Sequence, residues 1–401
     1  FGIGTPNWDV DPDFDLHYHL RRVRVGGDGS WRALLAAAEQ IAMTPLDQSR
    51  PPWEAVLFEG LPDGKAAYLL KTHHAMTDGL GAIQGLAQLH SRQRAPSPDK
   101  PQPPEPAPNH PSAARIVARQ LVADLERAPG LLDAVGRGVL SVRHPRDALK
   151  TTLRFSRSAA KVAGMTASPG SPLLENRSLS WRFSAFDVRF ADIRAASKVA
   201  GASVNDAYLA ALVGALRRYH EHLGHPIVTM PIAIPISVRT ESDPKGGNRI
   251  AVGRLPGPVS LADPFERMLT IREQVRAARH EPAVNLFNTV GPVLAWLPAA
   301  VLSSLGAGAT ASNDMQASNV PGIPFDVYMA GAKVERMYPF GPLPGCAVMA
   351  TMITHGSVAC LGINHDAASI TDSELFAQCI VDGFEEVLSL ASGTEPVLRR
   401  V

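Results

Sequence analysis

Apolar residues recur along this chain at two spacings, and these spacings predict a mixture of helices and strands. Residues 31–43 have the three-to-four-residue spacing of an amphipathic helix, and residues 79–89 repeat it. Residues 16–25 mix apolar and polar positions in the manner of a strand and run into a Gly26-Gly27 turn. We expect the first helix to pack on a sheet through one apolar face, formed by Trp31, Leu34, Leu35, Ala38, Ile41 and Ala42.

A hairpin is predicted between the two helices. Residues 55–58 and 66–70 are apolar, extended in tendency, and flank Pro62-Asp63-Gly64, which has the composition of a turn. Antiparallel pairing of these segments would deliver His73 and His74 at the end of the second strand.

The second half of the chain repeats this alternation. Residues 227–238, rich in Ile, Val and Pro, predict a buried or edge strand, and residues 347–354 and 358–363 predict a second hairpin. Ser203 as N-cap, with Asp206 three residues later, predicts the start of a helix. Strands and helices thus alternate in both halves, which predicts an α/β protein built from two pseudo-symmetric halves.

A change in composition divides the chain. Residues 94–111 are rich in proline and too poor in apolar side chains to hold a core, and residues 168–172 form a second break. The chain opens at Phe1 without a basic and apolar leader, which favours a missing N-terminal piece over a signal peptide. We predict an N-terminal half-domain at residues 1–95, a Pro-rich and helical linker at residues 96–172, and a C-terminal half-domain at residues 173–401.

The overall charge argues against polyanion binding. The 401 residues carry 39 Lys and Arg against 38 Asp and Glu, a formal net charge of +1, whereas nucleic-acid binding usually needs a basic surplus. Hydrophobic residues make up 45% and charged residues 19%, as expected of a folded protein with a large core. The three cysteines have no CxxC spacing, which argues against a disulfide framework or a zinc site and favours a reducing, cytosolic setting.

One uncharged stretch raises the question of a membrane span. Residues 282–313 contain no Asp, Glu, Lys or Arg. Pro292, Pro298 and Gly291 interrupt the stretch, however, whereas a spanning helix normally needs about 20 mostly apolar residues. A buried helix pair, or an apolar surface that touches lipid, is the expected structure.

The densest cluster of reactive side chains is His73-His74-Ala75-Met76-Thr77-Asp78-Gly79, at a predicted strand-to-helix junction. An imidazole can take a proton from a hydroxyl, and a nearby carboxylate can fix its tautomer or hold the loop. Gly79 has no Cβ and would let backbone approach closely. The alternatives are a satisfied polar histidine at a strand end, a metal site that lacks a nearby third ligand, and a serine hydrolase, for which the chain has no GxSxG elbow.

These residues occur together with several other ordered motifs. The segment 45–54 (PLDQSRPPWE) precedes the HHAMTDG cluster, and later blocks read SVND at 203–206, PISVR at 235–239 with Gly247-Asn248, and SNVPG at 318–322. In this order they resemble the bacterial wax ester synthase/diacylglycerol acyltransferase family, whose signature is HHxxxDG. That family is similar to chloramphenicol acetyltransferase and to peptide-synthetase condensation domains. The resemblance extends from residue 16 to residue 384 outside the linker. Ile323 departs from the SNVPGP pattern, and family members carry a further N-terminal strand and helix.

The resemblance implies two chloramphenicol-acetyltransferase-like half-domains around a central tunnel. It implies that His74 is the general base and that His73 and Asp78 support it. In that mechanism His74 takes the proton of an acceptor hydroxyl, which attacks the thioester of acyl-CoA, and the imidazolium then protonates the departing thiolate without an acyl-enzyme.

Several residues remain open between a site role and a structural one. The Asn319 amide and the hydroxyls of Ser318 and Thr354 are candidate oxyanion donors, each with a turn or strand role as the alternative. Asn205 and Asp206 resemble a family block, although a capping box explains Asp206 on its own. Asp78 is expected either to assist His74 or to hold the loop by pairing with a cation such as Arg239. Trp53 and Glu54 are expected to be an architectural anchor.

The implied function is esterification of diacylglycerol to triacylglycerol, of a long-chain fatty alcohol to wax ester, or of both. Acyl-CoA is then a substrate, and no cofactor, metal or nucleic acid is expected. A cytoplasmic protein bound peripherally to a membrane or lipid-droplet surface is the expected location. The alternatives are an acyltransferase acting on a non-lipid acceptor and a catalytically silent acyl- or lipid-binding protein.

Overall fold

The protein is described from a computed structural model. The structure describes residues 10–95, 104, 112, 114–119, 122, 169–237, 250–281, 312–391 and 398–401. Most of the predicted linker and nearly all of the uncharged 282–313 stretch therefore lie outside the described residues, and the predicted domain boundaries remain predictions. Residues 114–119 are helical, in the part of the linker where a helical tendency begins.

The described strands of the N-terminal part form a small sheet of three. Its order is β1-β2-β3, with β1 parallel to β2 and β2 antiparallel to β3. The turn between β2 and β3 is a short 3₁₀ segment, Pro62–Gly64, as the sequence predicts. The strands are β1 (Leu20–Arg24), β2 (Trp53–Glu59) and β3 (Ala67–Thr72).

Within residues 10–95, the helices are α1 (Leu16–His19), α2 (Trp31–Met43) and α3 (Gly79–Leu89). The predictions for α2 and α3 are confirmed with the same bounds. The prediction of a strand from residue 16 is wrong at its start, because the Asp15 carboxylate accepts the His17 N–H and begins a helical turn. Leu34 of α2 packs with Val56 and Phe58 of β2, so the helix lies on the sheet as expected.

The C-terminal part forms a large mixed sheet of seven described strands in the order β12-β4-β11-β10-β7-β5-β6. The predicted second hairpin is confirmed as β10 and β11, and the predicted strand at 227–238 is β5, which lies between β7 and β6. The strands are β4 (Trp181–Arg189), β5 (Met230–Ser237), β6 (Ile250–Gly257), β7 (Met315–Ile323), β10 (Val348–His355), β11 (Val358–Asp366) and β12 (Leu398–Arg400). A separate two-stranded ribbon pairs β8 (Tyr328–Met329) with β9 (Ala332–Lys333).

Helices cover one face of the large sheet and form the main core with it. They are α4 (Phe190–Val199), α5 (Val204–His222), α6 (Pro264–Arg279) and α7 (Ser373–Leu388), preceded by a 3₁₀ segment at Pro172–Leu174. Alternate strand residues such as Ile232, Met352 and Leu361 point into this core. We call this face the helix side of the large sheet. The opposite face, against which α3 and the segment at Pro339 and Gly341 lie, is called its open side.

The α5 helix begins as the sequence predicts. The Ser203 hydroxyl accepts the Asp206 N–H at 3.2 Å, and the Asp206 carboxylate accepts the Ser203 N–H at 2.8 Å. This reciprocal pair is a capping box.

No single helix among the described residues is long and apolar enough to cross a bilayer. The pair α4 and α5 meets the length and hydropathy criteria together, with a bend of 93° between them.

Helix α2 of the N-terminal part contacts strand β4 of the large sheet. The Glu39 carboxylate of α2 accepts the backbone N–H of Phe183 in β4 at 2.7 Å. Strand β12 pairs with β4 at residues 186–188, and Glu39 provides the acceptor for the Phe183 N–H further along the same strand. Burial raises the pKa of Glu39, while the Phe183 N–H and Arg182 oppose this shift.

Candidate functional site

The two histidines lie where the small sheet ends. The His73 N–H donates to the Pro52 carbonyl at 2.9 Å, which extends the pairing of β2 with β3 by one residue. The Met76 N–H then donates to the His73 carbonyl at 3.0 Å. This contact closes a four-residue turn with His74 at its second position, so the hairpin predicted from sequence does carry both histidines to its end.

Both histidines of the loop are exposed. The Nδ1 atom of His73 accepts the N–H of Ala75 at 3.2 Å, which ties this ring to the turn itself. His74 occupies the corner of the turn and is exposed. Both rings are thus accessible to a bound molecule, and the His73 ring is in contact with the backbone of the turn.

Asp78 ends the loop and begins α3. Its carboxylate is the N-cap of this helix and accepts the Gly81 N–H at 2.8 Å, while the residue is only 3% exposed. A buried carboxylate at a helix N-terminus is stabilised by the helix dipole and holds the loop at a fixed entry angle. The suggested partner Arg239 lies outside the described residues, so the predicted pairing remains a prediction.

Gly79 brings this loop onto the large sheet. A Cβ added at Gly79 would lie 2.9 Å from a methyl carbon of Val320 in β7. The expectation of a close approach at Gly79 is therefore met by a named neighbour. Because Val320 belongs to the SNVPG segment, two motifs far apart in the sequence meet at this contact.

The rest of the SNVPG segment shapes the end of β7. The register of β7 with β10 shifts between Ile353, which pairs with Val320, and His355, which pairs with Ile323. At this irregularity a Cβ on Gly322 would lie 1.7 Å from the Thr354 carbonyl oxygen, so only glycine fits.

Strand register separates the three candidate oxyanion donors. Ser318 pairs with Thr351 and shares a face with Val320, so it lies on the open side that meets α3. Asn319 pairs with Met352, which is in the helix-side core. Thr354 pairs with Ala359, also a helix-side residue. Of these side chains, the register brings only Ser318 to the face that contacts the histidine loop.

Asn205 and Asp206 lie on the helix side, in the first turn of α5. Both carboxylate contacts of Asp206 are within the capping box, and Asn205 is half-buried beside it. The structure gives Asp206 a complete structural role, in line with the alternative left open by the sequence.

Trp53 and Glu54 anchor the small sheet. The Trp53 ring stacks on the buried His19 ring at a centroid distance of 4.6 Å, and the Glu54 carboxylate pairs with Lys71 at 2.6 Å. These contacts join α1, β2 and β3 behind the histidine loop.

Sequence reasoning missed three residues of this region. Val320 was inside a recognised motif but its contact with Gly79 was not foreseen, and Glu39 was hidden in the apolar pattern of α2. Thr351 interrupts the apolar run of β10, which is a visible signal, but the alternation does not say which face meets the histidine loop.

Comparison with known proteins identifies related sequences and structures. A sequence profile of the "Wax ester synthase/diacylglycerol acyltransferase catalytic domain" matches residues 1–208, and one of the "WS/DGAT C-terminal domain" matches residues 246–388. The chain is 45% identical over 399 residues to "Putative diacyglycerol O-acyltransferase Rv2484c" of Mycobacterium tuberculosis strain H37Rv, covering 98% of this chain and 80% of that protein. The chain belongs to the wax ester synthase/diacylglycerol acyltransferase family.

More distant relatives and solved structures extend the comparison. "Putative diacyglycerol O-acyltransferase Rv3087" of the same strain is 28% identical, covering 97% of this chain and 84% of that protein. The solved wax ester synthase/diacylglycerol acyltransferase of Marinobacter aquaeolei VT8 superposes with a TM-score of 0.63 at 21% identity, covering 97% of this chain and 84% of that one. A nonribosomal peptide synthetase, FmoA3, gives 0.52 at 13% identity, covering 94% of this chain and 37% of that one.

These matches confirm the α/β fold in two parts that the resemblance implied. The family profile and the 45% identical relative also identify the enzyme class: the chain is an acyl-CoA-dependent O-acyltransferase of this family.

Proposed function

We propose that this enzyme esterifies diacylglycerol, a long-chain fatty alcohol, or both with acyl groups from acyl-CoA, and that His74 is its general base. The observation that carries the proposal is the turn at residues 73–76. It places an exposed imidazole at its corner, ties the neighbouring His73 ring back to backbone, and continues into a helix that contacts the large sheet.

The reaction follows from an imidazole in that position. His74 accepts the proton of the acceptor hydroxyl as its oxygen attacks the thioester carbonyl, which gives a tetrahedral oxyanion. The carbon–sulfur bond then breaks, and the imidazolium returns the proton to the CoA thiolate. Bonds and protons balance without an acyl-enzyme or a cofactor. His73 and Asp78 hold the loop and support His74. Acyl-CoA and the alcohol reach His74 through a tunnel between the two half-domains.

Release of CoA thiol from palmitoyl-CoA tests the proposal, with hexadecanol or dioleoylglycerol as the acceptor. We expect acceptor-dependent release by the wild type, and loss of about 10²-fold or more in His74→Ala. The matched control is His222→Ala, since His222 is exposed at the end of α5 and away from the loop. Equal rates in His74→Ala and wild type would refute the role of His74.

The choice of acceptor decides between the proposed function and its alternatives. Release with neither lipid acceptor, but with a small polar alcohol or amine, would assign the enzyme to a non-lipid acceptor. Lipid binding that is unchanged in His74→Ala, with no release under any condition, would indicate a silent binding protein.

We further propose that the protein works peripherally on a membrane or lipid-droplet surface, because both proposed acceptors reside there. The apolar 282–313 stretch of the sequence supports this location. Co-flotation with phosphatidylcholine liposomes containing dioleoylglycerol is the expected result, and recovery only in the dense fraction would contradict it.

A further inference from the structure

Thr351 is a polar residue in the middle of an apolar strand. It lies in β10 between Met349 and Ile353, and all three share the open side of the large sheet. Its neighbours Ala350 and Met352 point to the opposite face and belong to the helix-side core. The hydroxyl is therefore directed toward the side of the sheet on which α3 and the histidine loop lie.

The Thr351 hydroxyl has no hydrogen-bond partner among the residues that the structure describes. The residue is only 7% exposed, and its Oγ1 atom is buried. A buried hydroxyl without a partner destabilises the folded state, because it has lost its bonds to water. Valine would fill the same volume in a strand without this cost. Packing alone thus gives no reason for threonine here.

The position of Thr351 relates it to the proposed site. Ser318 on β7 is its direct cross-strand partner, so two hydroxyls stand side by side on the open side. Two residues further along the same strands, Val320 pairs with Ile353 on the same face. Val320 also contacts Gly79, the residue that directly follows the HHAMTD segment. The hydroxyl pair is thus next to the row of residues that touches the histidine loop.

We propose that Thr351, together with Ser318, donates a hydrogen bond to the carbonyl oxygen of the acyl thioester. This inference rests on the proposed function and adds a residue to its site. In the ground state the pair positions the carbonyl for attack. As the hydroxyl of the acceptor adds, the carbonyl π electrons move onto oxygen, and the two O–H groups stabilise the negative charge without giving up their protons. Such hydrogen bonds are stronger where water is excluded. Because the two donors are already in place, they need not reorganise during the reaction.

Binding of two unreactive CoA analogues tests the contact directly. The first is a ketone, CoA–S–CH₂–CO–R, and the second a thioether, CoA–S–CH₂–CH₂–R, both with the same long alkyl chain. We expect Thr351→Val to bind the ketone about tenfold more weakly than wild type does, and the thioether equally well. An equal loss for both analogues, or no loss for either, would overturn the proposal.

Activity and stability together separate this role from a structural one. Thr351→Val should lower kcat by roughly 10²-fold, with a smaller change in KM, because the bond strengthens in the transition state. Its melting temperature should stay the same or rise, since the unpaired buried hydroxyl is gone. Thr351→Ser keeps the hydroxyl and should retain activity within about threefold. A merely structural threonine would instead give a lower melting temperature with both analogues bound as before.

The control is Thr44→Val, which removes an exposed hydroxyl that donates to the Gln40 carbonyl at the end of α2. It should change neither analogue binding nor kcat. The experiment also distinguishes this inference from the proposed function. Wild-type protein that binds neither analogue would refute both, whereas acceptor-dependent CoA release with full activity in Thr351→Val would refute this inference alone.

Discussion

Gly79 lies against Val320 so closely that a Cβ on the glycine would be 2.9 Å from a valine methyl carbon. Gly79 is the first residue of α3 and follows the histidine loop, whereas Val320 is in the middle of β7 in the large sheet. The contact therefore sets the distance between the proposed general base and the sheet that carries the hydroxyl pair.

Gly79→Ala should reduce both the melting temperature and the rate of acyl transfer, because α3 or Val320 must shift to admit the new methyl group. Thermal unfolding and CoA release measure the two effects. Gly85→Ala is the matched control, since nothing lies within 4 Å of a Cβ at Gly85 on the same helix. That variant should be more stable by about 1 kcal/mol. The double variant Gly79→Ala/Val320→Ala should recover part of the activity. Identical behaviour of the two alanine variants would show that the close approach has no consequence.

Substitutions of Asp78 should separate its capping role from its charge. Asparagine can still accept the Gly81 N–H, so Asp78→Asn should keep the wild-type melting temperature, while Asp78→Ala loses the cap at a cost of about 1 kcal/mol. We expect both variants to lose at least about tenfold in activity, because the carboxylate supports His74 in the proposed mechanism. Asp263→Ala removes a comparable cap, on α6, and should leave activity unchanged. Full activity in a folded Asp78→Asn protein would limit this residue to holding the helix.

Glu39 should matter for stability rather than chemistry. Alanine at this position leaves the Phe183 N–H without its acceptor at a buried edge of β4, which should cost about 1–3 kcal/mol. Glu39→Gln keeps an acceptor oxygen and should lose less. Urea unfolding measures both variants, with Glu59→Ala as the control, since Glu59 makes a surface pair with Arg22. If the urea midpoint of Glu39→Ala were as high as that of Glu59→Ala, the contact of Glu39 with Phe183 would not stabilise the protein.

His365 should make stability depend on pH. Burial lowers its pKa to about 4, Arg182 lowers it further, and Asp366 opposes the shift. The unfolded chain takes up this proton near pH 6.5 and the folded protein only near pH 4. The stability that neutral His365 gives the folded protein is therefore fully present above pH 6.5. As the pH falls from 6.5 toward 4, the free energy of unfolding decreases by up to about 3 kcal/mol.

Asp314 should have the opposite effect on stability in the same acidic pH range. Burial raises the pKa of its carboxyl to about 6, although the Ser171 N–H and Arg177 oppose the shift. The folded protein then binds this proton before the unfolded chain does, so stability increases as the pH falls from about 6 to 4. The free energy of unfolding should be measured at pH 4.5 and pH 7. Relative to wild type, His365→Gln should be more stable at pH 4.5 than at pH 7, and Asp314→Asn should be less stable at pH 4.5 than at pH 7. The same pH dependence in both variants and in wild type would exclude these two assignments; His222→Gln is the exposed control.

Local signals in the sequence determined much of the fold. Both α2 and α3 begin and end where their apolar spacing predicts, since Ser30 and Asp78 cap them with their own side chains. Both hairpins formed as predicted, the first about the turn residues Pro62–Gly64. The strand predicted from residue 16 failed because a single side-chain bond from Asp15 favoured a helical turn over the strand pattern. The predicted similarity of the two halves holds only in kind, because the described strands form sheets of three and seven.

The sequence by itself also indicated the candidate reactive residues, because the HHAMTDG cluster is contiguous and its possible chemistry follows from residue type. Only the tertiary structure decided how they are arranged. Alternation along a strand shows that Ser318 and Asn319 point to opposite faces, but it does not show which face meets the histidine loop. It also does not show that Ser318 pairs with Thr351 on the neighbouring strand. The contact of Gly79 with Val320 likewise joins segments about 240 positions apart, and no local pattern of residues encodes such a distance.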